Sequence, residues 1–307
     1  MYHRFNENKY PSTNIQLDVF KEQLKIIENE NIQFIDPKNF EENLTQNKQE
    51  RKILLTIDDG LLSFYKNAWP ILKKRKIPFI LFVNTREVGS FNYMNWDQIL
   101  ELHNTDHVEI GNHSHSHEYL VDESPELIKN NILKSMEIFN EKLGTNSAFF
   151  SYPFGEYSLE QEKFISNNFE IAFGQHSGVI DLNKNKYQLP RFPINEKYGD
   201  LKRFEFILSL SPLEYKSIVP EDNYILKKDN PPKVIIEFFE EQKNLENINC
   251  FSDEGNEWDK SKIDLIKNKL QIKFRDKFKF RRGRINCSLN DDIGWRWLGI
   301  QFSIQQN

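Results

Sequence analysis

Two aspartates stand side by side where an apolar run stops. Residues Arg51 to Gly60 read RKILLTIDDG, in which Ile53, Leu54, Leu55 and Ile57 form a buried strand ending at Asp58-Asp59-Gly60. Adjacent carboxylates repel and both lose water when buried, so the pair needs a positive partner, a role a metal ion can fill. Neighbouring side chains diverge in extended chain, so one carboxylate can face a cation while the other stays free as a base. The plainer alternative is a strand followed by an ordinary D-G turn.

A second stretch, Glu109 to His117, reads EIGNHSHSH. Val108 and Ile110 continue a short strand, Gly111 and Asn112 break it, and histidines follow at alternate positions. His113 and His117 stand four apart, so one helical turn or a tight loop aims both imidazoles at one point, with His115 pointing away. Two neutral imidazoles and a carboxylate make a three-ligand site with an open position, the arrangement of catalytic zinc. A solvated histidine-rich loop is the alternative. It fits poorly, because three of the chain's seven histidines fall within five residues beside a strand end.

These residues resemble a known family. Thr56-Ile57-Asp58-Asp59-Gly60 is similar to the TFDDG motif, and His113 to His117 to the H-S/T-x-x-H motif, of the polysaccharide deacetylases (carbohydrate esterase family four). Ser151-Tyr152-Pro153-Phe154-Gly155 resembles the family's third motif in its YPYG form. The resemblance spans about Met1 to Ile194. Ser151 stands where many relatives carry an arginine that contacts the catalytic aspartate, and the late L-x-H motif that supplies the acid is not found as written.

The resemblance implies a metal-dependent hydrolase acting on N-acetylated amino sugars in a polymer. Asp59, His113 and His117 would hold a divalent metal, zinc being the expected ion, and Asp58 would act as base. The turn at Pro153, Phe154 and Gly155 would meet the substrate, with the Phe154 N–H facing the oxyanion. His176 leaves the same strand edge as the motifs and is the candidate acid. Arg191 can restore the positive charge that Ser151 lacks or contact substrate, a surface arginine being the simpler reading. His3, in the opening MYHRF, is a substrate-side contact or a satisfied core histidine. Two other functions stay open: a catalytically impaired carbohydrate binder, and a hydrolase of another C–N bond such as a formamide or cyclic imide.

Several elements must position these groups. Apolar stripes predict helices over Ile15–Asn31 (capped from Ser12, Thr13 or Asn14), Pro37–Leu44, Leu61–Lys76, Trp96–His103, Pro125–Leu143, Leu159–Asn168 and Phe204–Leu210. Strands fall between them at Ile32–Ile35, Ile77–Val83, Val108–Ile110, Phe149–Pro153 and Ile171–Phe173. Alternating strands and helices predict an α/β fold with parallel strands and a site at their carboxyl ends. The resemblance specifies an irregular (β/α) barrel. Beyond Leu210 short alternating runs predict a small antiparallel β-sandwich, giving domains 1–210 and 211–307. Trp258, Trp295 and Trp297 would line its core or form a platform for sugar rings.

A formal charge of -5 and a pI near 5.9 offer no basic field for nucleic acid, and fit a neutral polymer or small molecule better. No run approaches the ~18 apolar residues of a membrane span. The opening residues show no charged-then-apolar leader, which reads as cytoplasmic unless a leader precedes them. Cys250 and Cys287, in INCFS and INCSL, read as buried free thiols, with pairing across a sheet or sandwich as the alternative.

Overall fold

A computed structural model describes residues 1–45, 51–181, 183–255 and 257–306. Its first half is built on five parallel strands in chain order: β1 (Thr56–Ile57), β2 (Phe79–Val83), β3 (Val108–Asn112), β4 (Phe149–Ser151) and β5 (Ile171–Phe173). All five residues of β2 are buried, as expected of a parallel strand covered on both faces. The row continues past both ends. Tyr2 bridges Ile57 in parallel on one side, and Leu189 bridges Phe173 on the other. The Met1 amino group donates to the Phe192 carbonyl at 3.0 Å and the Ile194 N–H to the Met1 carbonyl at 2.9 Å, so the two edges meet and the barrel closes. The expected α/β barrel is present. Its irregularity lies in this closure, made by single residues rather than by full strands.

Helices cover the barrel much as the sequence predicts, and the differences have local causes. Pro125–Leu143 is capped by the Ser124 side chain, carries Pro125 in its first turn and stops at left-handed Gly144. The helix expected from Ile15 spans Leu17–Asn29 and gets no cap from Ser12, Thr13 or Asn14. Asn14 instead bonds Glu7 and Glu196, and the Leu17 N–H is met by the Asn6 side chain at 2.7 Å. The stretch after Gly60 opens with a π turn at Phe64–Ala68 before the α-helix Trp69–Arg75, because Pro70 has no N–H for the preceding turn. Gly111 in β3 is required by packing, since a Cβ there would lie 2.2 Å from the Phe82 ring of β2.

Beyond Leu210 strands dominate, interrupted by short 3-10 helices at Lys227–Asp229 and Leu245–Asn247. β6 (Val234–Glu237) and β8 (Lys269–Lys273) are the middle strands of a four-stranded antiparallel sheet. β7 (Asn249–Asp253), β9 (Arg282–Asp291) and β10 (Gly294–Ile304) form the body of a second sheet, also antiparallel, to which Ser211–Pro212 and Tyr224–Ile225 add in parallel. Side chains of both sheets, among them Ile236, Leu270, Ile272, Cys287 and Phe302, gather in one apolar cluster. Cys250 and Cys287 face each other across β7 and β9 and form a disulfide, which replaces the free thiols expected from the sequence. Trp295 and Trp297 both pack against Phe206 of the helix Leu201–Ser209, whereas Trp258 lies under Arg284, so the three do not form one platform.

Candidate active site

Three of the motif residues converge at the carboxyl ends of β1 and β3. The Asp59 Oδ1 lies 3.3 Å from the His117 Nε2 and 3.6 Å from the His113 Nε2, and one ligand atom of each residue lies within 4.8 Å of the others. The His113 Nδ1–H donates to the Ser151 carbonyl at 2.6 Å, which leaves its Nε2 as the lone pair facing Asp59. Burial pushes His113 down to about 4, with His117 adding to the shift, so its ring is neutral near pH 7. The Asp59 Oδ1 and the His113 Nε2 are both buried and have no hydrogen-bond partner. Two orphaned donors aimed at one point, beside a third, fit a divalent cation and little else.

Backbone strain marks the same place. Asp59 (φ 77°), Ser114 (φ 68°), His117 (φ 53°) and Phe154 (φ 59°) all take the left-handed conformation that side-chain-bearing residues avoid. At Asp59 it turns the chain sharply after β1 and parts the two aspartates. At Ser114 and His117 it folds the loop so that both outer histidines look inward. Asn131 holds this loop by accepting the His115 N–H at 2.9 Å, and the Ser114 Oγ accepts the His117 N–H at 3.2 Å. His115 faces away, its Nδ1 2.8 Å from the Thr85 hydroxyl.

Asp58 faces the barrel interior and is locked there. The Arg191 guanidinium donates to both of its oxygens, at 2.7 and 2.9 Å, to the Ser151 Oγ at 2.7 Å, and through Nε to the Gly174 carbonyl at 2.9 Å. The rings of Phe82 and Phe173 flank the guanidinium. Burial alone would raise Asp58, but Arg191, His113 and His3 outweigh it and hold the carboxyl well below the usual range. Arg191 thus supplies the charge missing at position 151, and its bonds are all spent on the protein rather than on an open surface. Ser151 keeps a part as the hydroxyl that braces the arginine.

The two remaining histidines are placed differently. Tyr2 pairs with the end of β1, since its N–H donates to the Thr56 carbonyl and its carbonyl accepts from the Asp58 N–H, both at 2.9 Å. His3 therefore emerges beside the aspartates. Burial lowers its pKa and both Asp59 and Asp58 oppose the shift. His176 follows β5 as expected, but the charge felt by its ring is that of Arg191 and neither aspartate, and burial brings it down to about 4. Sequence reasoning missed two neighbours of the site. Tyr93, in the loop after β2, is raised by burial and by Asp59, and the Thr56 hydroxyl accepts from Arg191 at 3.3 Å. Tyr93 lay in no motif, and Thr56 opened the Asp-Asp motif without drawing a role of its own.

The Pro153–Gly155 turn forms the facing wall. The Gly155 N–H and Glu156 N–H close it on the Tyr152 and Pro153 carbonyls, and the Phe154 N–H takes part in neither bond. The Phe154 ring meets the His117 ring at 4.6 Å between centroids and stacks on Tyr119 at 4.1 Å.

A parallel barrel that brings a carboxylate and two imidazoles to one point, beside a second carboxylate fixed by arginine, has the architecture of a metal-assisted hydrolase. Residues 45–168 match the family model described as polysaccharide deacetylase, so this part of the chain is similar to that family. It is similar to the poly-beta-1,6-N-acetyl-D-glucosamine N-deacetylase of Staphylococcus epidermidis, 25% identical over 191 residues, which span 57% of this chain and 66% of that protein. Among solved structures, the deacetylase PplD of Streptococcus pyogenes in complex with acetate shares the fold with a TM-score of 0.61 at 22% identity, over 68% of this chain and 96% of that one. IcaB from Ammonifex degensii gives 0.59 at 23%, over 67% and 94%.

Proposed function

We propose that this chain removes N-acetyl groups from amino sugars in a polysaccharide by metal-assisted hydrolysis, with zinc as the ion held by Asp59, His113 and His117. The observation that carries this reading is the split between the neighbouring aspartates: Asp59 presents an orphaned oxygen to two imidazole nitrogens, while Asp58 is fixed by Arg191. A pure metal binder needs only the first half of that arrangement. A bound ion would supply Lewis acidity to the acetyl carbonyl and lower the pKa of its water toward ~7, which brings that proton closer to the reach of a carboxylate base.

The chain's own residues do the rest. Asp58, deprotonated at any working pH, accepts the proton of the attacking water, and Arg191 keeps both of its oxygens aligned. The Phe154 N–H is the donor for the developing oxyanion, since Pro153 has none and the turn leaves it unused. Protonation of the leaving amine falls to His3, which shares the field of both aspartates. The expectation that His176 serves as acid has less support, because Arg191 acts on both histidines but no carboxylate offsets it or burial at His176. Similarity to a poly-N-acetylglucosamine deacetylase supports an amino-sugar polymer as substrate. Crystals of the zinc-loaded protein, measured at the zinc edge, should show one ion among Asp59, His113 and His117, and His113→Ala should lose ion and turnover together. An ion at His115 would contradict the assignment.

A further inference from the structure

The turn at Pro153–Gly155 is gripped from outside the barrel. Its two left-handed residues, Phe154 (φ 59°) and Gly155 (φ 68°), cannot hold that shape through the turn's own bonds without cost, because Phe154 carries a bulky side chain. Their carbonyls both accept from the Nε2 of one buried amide, Gln301 on β10, at 3.3 and 3.2 Å. The next residue, Glu156, is buried with its carboxylate between two arginines of the β-sheet half, accepting from the Arg281 Nε at 2.8 Å and from the Arg282 Nε at 2.7 Å. Arg281 also pairs with Asp122 and lies 3.7 Å from the centroid of the Tyr119 ring, and Arg282 lies over Phe154. These contacts form a continuous series, Arg281 over Tyr119, Tyr119 stacked on Phe154 and Phe154 edge-on to His117, that ends at the proposed metal-site histidines.

Nothing in the barrel alone would replace this grip. Without Gln301 two buried carbonyls lose a donor, and without the arginines Glu156 becomes a buried unpaired carboxylate next to the strained turn. All three gripping residues lie outside the stretch that matches the family model.

We propose that the C-terminal β-sheet half is a structural wall of the active site, in which Gln301, Arg281 and Arg282 are positioning residues that hold the Phe154 turn against His117 and keep its N–H in place. The effect on turnover rests on the deacetylation reading above; the effect on the turn does not. Misplacing an oxyanion donor or a reacting group by about an ångström costs on the order of 10²-fold in rate. Gln301→Leu in the full-length, metal-loaded protein should therefore lower kcat roughly 10- to 100-fold on N-acetylglucosamine oligomers, leave KM within about twofold, and leave metal content unchanged. Amide hydrogen exchange of the 150–158 segment should quicken about tenfold or more in the same variant, whether or not wild type turns over. Arg282→Met should show the same pair of changes and Arg282→Lys should recover part of them. An inactive wild type whose exchange still responds to Gln301→Leu would sink the deacetylation reading and support the wall. Unchanged exchange at 150–158 in both folded variants would overturn the wall. So would a kcat within twofold of an active wild type.

Discussion

Removing the guanidinium from Asp58 tests the core of the site without touching a proposed metal ligand. The Asp58 side chain is 0% exposed and that of Arg191 5%, and two hydrogen bonds of 2.7 and 2.9 Å join them. Breaking a buried pair from one side leaves an uncompensated charge and costs about 3–5 kcal/mol, a large share of the ~5–15 kcal/mol that holds a typical domain together. The pH dependence identifies the cause. In wild type the folded pKa of Asp58 is depressed below 3.8, so its contribution is present above that pH and is lost only in stronger acid. In Arg191→Gln burial is no longer outweighed, the folded pKa rises above the unfolded value, and the penalty of the buried charge grows as pH rises through the acid range. Urea unfolding in chelator should thus show a deficit of about 3–5 kcal/mol at pH 7.5 and a smaller one at pH 4.5. Asp58→Asn combined with Arg191→Gln should recover a good part of it. A deficit below ~1 kcal/mol at both pH values, or one that is larger in acid, would refute the reasoning.

The acid assignment separates two variants. His3→Gln should keep its metal and lose kcat by ~10²–10⁴, while His176→Gln should retain most of its turnover; the reverse pattern would return the role to His176. His176 also carries an acid-stability signature, because its folded pKa of about 4 lies below the unfolded 6.5 and the unfolded chain binds the extra proton. Stability should fall as pH drops from 6.5 to 4 by an amount on the order of 3 kcal/mol and level off below, and His176→Gln should flatten that slope. A chain ending at Leu210 should aggregate, because it strips Phe206 of its Trp295 and Trp297 cover and Glu156 of both arginines; a monodisperse truncation would contradict this.

The barrel and the candidate metal-ligand histidines were legible because their signals are local. An apolar strand shows as a run, a helix cap as a residue type at a fixed offset, and the Asp-Asp and His-x₃-His spacings are short enough to survive as motifs. What lay hidden depended on distance along the chain. Arg191 reaches Asp58 across 133 residues, and nothing in Arg-Phe-Pro-Ile distinguishes it from a surface arginine until Ser151 is seen to leave room for it. His3 is the exception in place but not in role: the opening MYHRF reads as the tail of a first strand that delivers it near the motifs, and the parallel bridge at Tyr2 is that strand's pairing. His176 drew attention by following a strand of the right edge, yet edge membership did not fix which charges its ring would face. The disulfide needed strand register, since Cys250 and Cys287 are directly opposed only once β7 and β9 are paired. The grip on Phe154 had no sequence signal at all, because Gln301 sits on a strand read only as part of an accessory domain and Arg281 and Arg282 precede the run read as a strand from Arg284.

The measurement that bears most directly on the central claim is acetate release from N-acetylglucosamine oligomers by metal-loaded wild type and Asp58→Asn, with bound metal quantified in both. The account predicts acetate matched by new free amine in wild type, and an Asp58→Asn protein with the same metal content and turnover lower by ~10²–10⁴. Metal-loaded wild type that frees no amine, or an Asp58→Asn variant that turns over at the wild-type rate, would contradict it.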